Sequence, residues 1–140
     1  MISKNEILKL ISKNNKQVTF QVNGFSMLPL ICEGDKITVQ KVTVSKIEFG
    51  DLVAFYVEDN FIIHRIVKII RNENGIHFWE KGDNRKFPTL ISERQIVGKV
   101  LEIQKATKKI QLSSKSEKFK SKIYASISYL EYFKNTLFNL

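Results

Sequence analysis

The spacing of apolar residues divides the chain into a short helix, a series of strands and a long helix. Over residues 2–14, apolar side chains recur at roughly helical spacing, with lysine and glutamate on the other side. From Gln17 the period changes to two, because Val18, Phe20 and Val22 alternate with polar residues, as in a strand with one buried face. The pattern therefore predicts an N-terminal helix followed by a β-sheet.

Further strands are predicted along the middle of the chain, separated by turn chemistry. They are residues 36–42, 52–57, 61–70, 76–80 and 96–104. The strongest turn signal is Asn74-Gly75, a dipeptide that favours a tight hairpin. The segment 61–70 is apolar on both faces, which is typical of a strand inside a sheet. We therefore predict one mainly β domain over residues 1–113.

A second helical pattern follows over residues 114–140. Its apolar residues are spaced three or four apart: Phe119, Ile123, Ile127, Leu130, Phe133 and Leu137. One interpretation is a helix that packs this stripe on the sheet. Another is a helix at a membrane surface, because the lysines that flank the stripe suit a headgroup boundary, as do its remaining aromatic residues. Those residues are Tyr124, Tyr129, Tyr132 and Phe138.

The distribution of charge favours a basic tail over a basic domain. The chain has 23 Lys and Arg against 14 Asp and Glu, a net charge of +9. Residues 105–140 hold eight Lys and two Glu, which is +6, and residues 1–104 contribute only +3. Nucleic-acid binding is therefore a third interpretation of the tail, but few aromatic residues are interleaved with the lysines, so we rank it last.

Cysteine content and hydropathy limit the classes of protein. One cysteine, Cys32, excludes an intramolecular disulfide and a multi-cysteine zinc site. We expect neither a metal nor an organic cofactor. No apolar run approaches the ~20 residues that cross a bilayer, and the N-terminus lacks a secretory apolar region. We therefore expect a cytoplasmic or peripherally membrane-associated protein.

Three short segments carry candidate chemistry. Ser26 lies in a loop where Gly24 permits a sharp exit from the strand and Pro29 stiffens the chain, as an exposed nucleophile requires. His64 lies in an apolar strand, where it is either a core histidine or a general base. The third segment is Gly82-Asp83-Asn84, whose aspartate either caps a turn or orients the histidine. Each signal alone is weak.

In this order the segments resemble the signal peptidase I family, over about residues 17–104. The matching motifs are Ser26-Met27-Leu28-Pro29, the Gly-Asp pairs Gly34-Asp35 and Gly50-Asp51, and Gly82-Asp83-Asn84. His64-Arg65 stands where bacterial members have lysine-arginine, which is similar to the Ser/His branch of that family. The resemblance implies a signal-peptidase-type coiled β-sheet domain. That fold is shared with self-cleaving repressors, which use lysine and carry a separate DNA-binding domain.

The resemblance also implies roles. Ser26 would be the nucleophile of a serine endopeptidase and His64 its base, acting on an extended peptide or preprotein and cleaving a leader or signal segment. The residues Gly24, Phe25, Met27 and Pro29 would form the oxyanion and substrate-binding surface. Gly24 stands where some bacterial members add a serine hydroxyl, so backbone would supply any second oxyanion donor.

Two departures from the family pattern leave alternatives open. The usual triad aspartate of the Ser/His branch falls on Thr89, so Asp83 orients His64, Thr89 hydrogen-bonds it, or the site is a dyad. The N-terminal membrane anchor of the family is also missing, so we expect a soluble or peripheral relative, and the resemblance to anchorless members implies that it trims leader peptides. A non-catalytic peptide- or membrane-binding module on the same fold is the alternative function.

Overall fold

The structure is a computed structural model and describes residues 3–13 and 16–138. Helix α1 spans Lys4–Lys13, inside the predicted helix, whose end residues Ile2 and Asn14 lie outside the described residues. The helix packs on the first strand and buries two isoleucines in the core. The predicted N-terminal helix is therefore confirmed over the part of it that is described.

In the described residues, eight antiparallel strands form one sheet. They are β1 (Gln17–Gln21), β2 (Lys36–Gln40), β3 (Leu52–Val57), β4 (Asn60–Asn72), β5 (Gly75–Lys81), β6 (Thr89–Ser92), β7 (Ile96–Gln104) and β8 (Lys109–Gln111). The order is β1-β2-β7-β3-β4-β5-β6, and β8 pairs with β7. The mainly β fold is therefore confirmed, and β4 lies inside the sheet as predicted.

Consecutive residues of β4 point to opposite faces of the sheet, as the pleat requires. Ile66 lies opposite Glu80 in the β4–β5 pairing, so Glu80 and His64 share a face, which we call the His64 face. Arg65 lies opposite Lys81 on the other side, the Arg65 face. Side chains on one face of a sheet that lie opposite or diagonal to each other on neighbouring strands are close enough to interact.

Each face carries an apolar cluster. On the His64 face, the buried members are Ile47, Val53, Phe55, Ile66, Phe78 and Ile91. On the Arg65 face, the larger cluster holds Ile7 and Ile11 of α1 together with residues of β2, β3 and β7. The sheet is therefore covered on both sides, and polar groups between these clusters need partners inside the protein.

The second helix, α2, spans Lys115–Phe138 and begins at a capping serine. The Ser114 hydroxyl accepts the Glu117 N–H at 3.3 Å. The helix docks on the Arg65 face through small residues, because Ala125 is fully buried and Ser128 accepts a hydrogen bond from Lys81 at 2.7 Å. Small side chains on the docking face allow the helix backbone to approach the sheet closely.

The apolar stripe of α2 faces away from the sheet. Its six members are between 42% and 67% exposed: Phe119, Ile123, Ile127, Leu130, Phe133 and Leu137. The interpretation in which this stripe packs on the sheet is therefore wrong. The reason is that α2 meets the sheet at the buried side chains of Arg65 and Lys81. Lys81 donates to Ser128 and Arg65 contacts the Tyr124 ring, and both partners lie on the side of the helix that faces the sheet. The side chain of Phe138 lies outside the described residues.

No helix in the described part of the chain is both long enough and apolar enough to cross a bilayer.

Candidate active site

The loop that carries Ser26 leaves β1 through a backbone conformation that favours glycine. Gly24 has φ +111°, in the left-handed region, and a Cβ built there would meet no atom within 4 Å. The Leu28–Pro29 peptide bond is cis. The predicted sharp exit before Ser26 is therefore present, and it makes Ser26 part of a cavity wall.

The Gly82-Asp83-Asn84 turn holds this loop in place. The Asn84 backbone N–H donates to the Ser26 carbonyl at 2.8 Å, and its side-chain amide donates to the Phe25 carbonyl at 3.1 Å. The Asp83 N–H contacts the Met27 sulfur at 3.3 Å. Three contacts from one turn thus fix the backbone on both sides of the candidate nucleophile.

Gly82 brings the serine loop and the histidine to one point. A Cβ at position 82 would lie 2.7 Å from the Ser26 carbonyl oxygen and 2.9 Å from His64 Nε2. Both distances are shorter than real Cβ contacts allow, so the position requires glycine. The first, second and third motif segments therefore converge, as the sequence predicted for one site.

A row of polar side chains crosses three neighbouring strands on the His64 face. His64 Nδ1 on β4 is hydrogen-bonded to one carboxylate oxygen of Glu80 on β5. The other oxygen of Glu80 accepts the hydroxyl of Thr89 on β6. The side chains of His64 and Glu80 are only 13% and 5% exposed. Low exposure strengthens the pairing, because water competes little for these groups.

This row fixes which nitrogen of His64 can accept a proton. Because Nδ1 faces a carboxylate, the proton of the neutral imidazole lies on Nδ1, and Nε2 keeps its lone pair. Nε2 is buried, and the described residues offer it no hydrogen-bond partner. An unpaired buried acceptor costs free energy, so it suggests a group that awaits a ligand or a reacting proton.

Asp83 and Thr89, the two residues predicted to orient the histidine, have other partners. The Asp83 carboxylate accepts both Arg65 Nε and Arg65 Nη2 at 2.8 Å. The alternative in which Asp83 orients His64 is therefore wrong, because a fully buried guanidinium takes the carboxylate as its counterion in a two-pronged pair. The Thr89 hydroxyl reaches Glu80, so its link to His64 runs through that carboxylate.

Glu80 is the residue that the sequence reasoning missed. Counting from the Asn74-Gly75 turn pairs residue 80 with Val67, which places it on the Arg65 face. A register shift after Ile66 moves Glu80 opposite Ile66 and onto the face of His64. One feature of the sequence did point to Glu80. It is an acidic residue two positions after Phe78, so in a regular strand it lies on the same face as that buried side chain.

A cavity of about 670 Å³ opens beside the candidate pair. Ser26 and His64 both line it, and most of its other lining side chains are apolar: Ile7, Phe20, Val22, Met27, Ile31, Ile37, Phe61, Ile62 and Ile63. This volume is typical of a ligand site. The arrangement places a hydroxyl and an imidazole at the wall of an apolar pocket.

The residues predicted to surround Ser26 divide into two groups. Gly24 and Met27 line this cavity. Phe25 is 58% exposed and contributes its carbonyl to the turn contact, while Pro29 lines a separate cavity of about 390 Å³ beside α2. The structure therefore brings Gly24 and Met27 to the cavity of Ser26 and His64, and places Pro29 elsewhere.

The two Gly-Asp pairs of the motif close turns. The Asp35 carboxylate accepts the Cys32 N–H at 2.9 Å and binds the Lys105 ammonium. Burial raises the pKa of Asp35, but these two hydrogen bonds outweigh that effect and bring the pKa below its ordinary value. Asp51 similarly accepts the Glu48 N–H at 2.8 Å. Both aspartates therefore have structural partners.

Within residues 3–13 and 16–138, no group of three or more His, Cys, Asp or Glu side chains is placed to hold a metal ion. The candidate chemistry described above uses a hydroxyl, an imidazole and a carboxylate.

A comparison of the sequence with models of protein families identifies the family of this chain. The model of the family described as Peptidase S24-like matches residues 3–101. The chain belongs to the Peptidase S24-like family. The match covers α1, all strands of the site and every motif segment, and it confirms the predicted kinship and fold. Membership supports a function of the serine peptidase type. A comparison with functionally curated proteins found none that matches this chain.

Proposed function

We propose that this S24-like protein is a serine endopeptidase of the signal peptidase type, which removes a leader or signal segment from a peptide or protein. Ser26 is the nucleophile, His64 is the general base, and Glu80 orients the imidazole. One observation carries the proposal: His64 Nε2 lies buried and unpartnered beside the Ser26 loop while Glu80 holds Nδ1. A histidine held in this tautomer is ready to accept a serine proton.

The proposed reaction begins when His64 Nε2 accepts the Ser26 proton as Oγ attacks the scissile carbonyl. The Glu80 carboxylate stabilises the imidazolium that forms, and the Ser26 N–H donates to the developing oxyanion. His64 then gives its proton to the leaving amine, which leaves an acyl-enzyme. Water, activated by the same nitrogen, adds to the acyl carbonyl and releases the acid with Ser26 restored.

The shape of the cavity supports a substrate class. Its wall is mostly apolar and includes Phe20 of β1, the strand at one end of the sheet order. A peptide in extended conformation presents alternate side chains to one side, so one apolar side chain next to the cut bond would enter the cavity. We therefore propose that the substrate is an extended segment with an apolar residue beside the scissile bond.

The test compares wild type with Ser26→Ala and His64→Ala. We expect each substitution to lower cleavage of a library of extended apolar peptides at least ~10³-fold, because each removes a member of the reacting pair. Mass spectrometry of the products measures the rate. A β-lactam or lactone probe that acylates serine should label wild type and leave Ser26→Ala unlabelled.

Ser45→Ala is the matched control, because Ser45 is an exposed serine in a short turn away from the cavity. Its cleavage rate and labelling should equal those of wild type. Peptide binding without cleavage or labelling, unchanged in Ser26→Ala, would instead identify a non-catalytic peptide-binding module.

A further inference from the structure

The outward face of α2 is an apolar surface that no described part of the chain covers. The members of this α2 stripe are Phe119, Ile123, Ile127, Leu130, Phe133 and Leu137. They lie on the side of the helix opposite Ala125 and Ser128, the residues through which α2 docks. Six large apolar side chains along one helix exceed the scattered exposure that is normal for a protein surface.

The contacts between α2 and the rest of the domain fix the rotation of the helix about its axis, so the stripe cannot turn toward the sheet. Lys81 on the sheet donates to Ser128, and the Arg65 guanidinium lies 5.4 Å from the centre of the Tyr124 ring. A Cβ at Gly50 would lie 3.0 Å from the backbone of Ser121. Rotating the helix to bury the stripe would break these contacts and take the Ser128 hydroxyl away from the buried Lys81 ammonium. The exposed orientation is thus built into the fold.

Positive charge surrounds the stripe. The lysines of α2 are all exposed: Lys115, Lys118, Lys120, Lys122 and Lys134. Glu117 and Glu131 are the two acidic residues of the helix, so α2 carries a net charge of +3. An apolar helix face bordered by lysine is the pattern of a helix that lies in the interface of an anionic membrane.

This charge also argues against a second copy as the occupant. Two chains joined stripe to stripe would bring together two helices that each hold five lysines and two glutamates, a net charge of +3, and like charges at close range oppose association. Anionic headgroups would neutralise the same lysines. We infer that the α2 stripe is a docking surface for an anionic lipid bilayer, with the helix lying parallel to the membrane and the sheet held at its surface. This inference does not depend on the proposed peptidase activity.

The test measures flotation of the full chain with unilamellar vesicles. Wild type should float with vesicles of phosphatidylcholine and phosphatidylglycerol at about 3:1, and much less with phosphatidylcholine alone. Raising the salt from ~50 to ~500 mM should weaken binding, because salt screens the lysines. Leu130→Glu should lower partitioning about tenfold or more, because it removes an apolar side chain from the lipid and adds a negative charge.

Leu90→Glu on β6 is the matched control. Leu90 is 49% exposed and lies outside α2, so this variant makes the same change in charge and residue type away from the stripe. It should float as wild type does. Phe119→Glu, one end of the stripe, should repeat the Leu130→Glu loss. Circular dichroism should show an unchanged helix content in all three variants.

Two results would overturn the inference. One is wild-type protein that stays unbound with anionic vesicles, or stripe variants that float as wild type does. The other is sedimentation velocity showing a dimer that Leu130→Glu dissociates, because a second copy would then be the occupant of the stripe.

Discussion

His64 and Arg65 are consecutive residues of β4, but they lie on opposite faces of the sheet and differ in how fully their nitrogens are paired. On the Arg65 face, Arg65 binds Asp83 through two nitrogens and Lys81 donates to Ser128 of α2. On the His64 face, Glu80 holds one nitrogen of His64 and the other nitrogen has no partner among the described residues.

The difference separates paired, stabilising groups on one side of the two strands from the candidate catalytic histidine on the other. A buried cation that is bound by a counterion or a hydroxyl stabilises the structure around it, provided that this partner remains. A buried imidazole with one unpartnered acceptor costs stability, and native proteins leave few such groups unsatisfied, which is why we assign His64 a role in the proposed reaction. The two faces therefore differ in how fully their polar groups are paired: Arg65 and Lys81 have partners within the fold, and His64 keeps one unpartnered nitrogen, which the proposed mechanism uses to accept the Ser26 proton.

Glu80→Gln should have the largest effect and should separate the faces. We expect kcat to fall about 10³-fold or more, because an amide can no longer stabilise the imidazolium and can hold the wrong tautomer. The free energy of unfolding should change little, since the amide oxygen still accepts a hydrogen bond. Peptide cleavage and urea denaturation measure the two quantities. Cleavage by Glu80→Gln at the wild-type rate would remove Glu80 from the mechanism.

Asp83→Asn is the matching change on the Arg65 face. It makes the same replacement of carboxylate by amide but leaves the fully buried Arg65 without its counterion. We expect the free energy of unfolding to fall by about 3 kcal/mol, as for other buried ion pairs that lose one partner. At a temperature where the variant is folded, kcat should change less than tenfold. A large fall in kcat without loss of stability would reverse the comparison.

The smallest effect concerns Lys81 and pH. Burial lowers the pKa of Lys81, so the unfolded chain holds this proton more tightly than the folded chain does. The free energy of unfolding should therefore rise with pH in the window between the lowered pKa and the ordinary value near ~10.4, with a slope of at most about 1.4 kcal/mol per pH unit. Lys81→Met, which has a side chain of similar length but no ionisable group, should abolish the contribution of Lys81 to this slope.

Urea denaturation of both proteins at several alkaline pH values gives the difference between the two curves. Because the other titrating groups are common to both, that difference isolates Lys81. Parallel curves would show that Lys81 has the same proton affinity in the folded and unfolded chains.

Local patterns predicted most of the fold. Alternation from Val18 to Val22, the Asn74-Gly75 turn and the helical spacing after Ser113 gave the right element types, because they depend on near neighbours. The same patterns failed for the direction of the α2 stripe. An amphipathic period shows that a helix has two sides, but the surface that it meets decides which side is buried.

The candidate site also has a part that local sequence predicted and a part that only the strand pairing determined. Motif order pointed to Ser26, His64 and the Gly82 turn as parts of one site, and the fold brings them together. The partner of His64 depended on the register shift after Ile66, which moves Glu80 from one face to the other. A shift of one residue leaves no clear mark in the sequence, yet it reverses which side chains meet across a sheet.

The sequence by itself determined the elements, the mainly β fold and the chemical groups available, because side-chain type and local period are properties of the chain. Only the tertiary structure decided which carboxylate serves His64, why Asp83 serves Arg65 instead, and that the α2 stripe faces outward. These are outcomes of competition among buried polar groups for partners, and that competition is resolved when the strands and α2 are brought together.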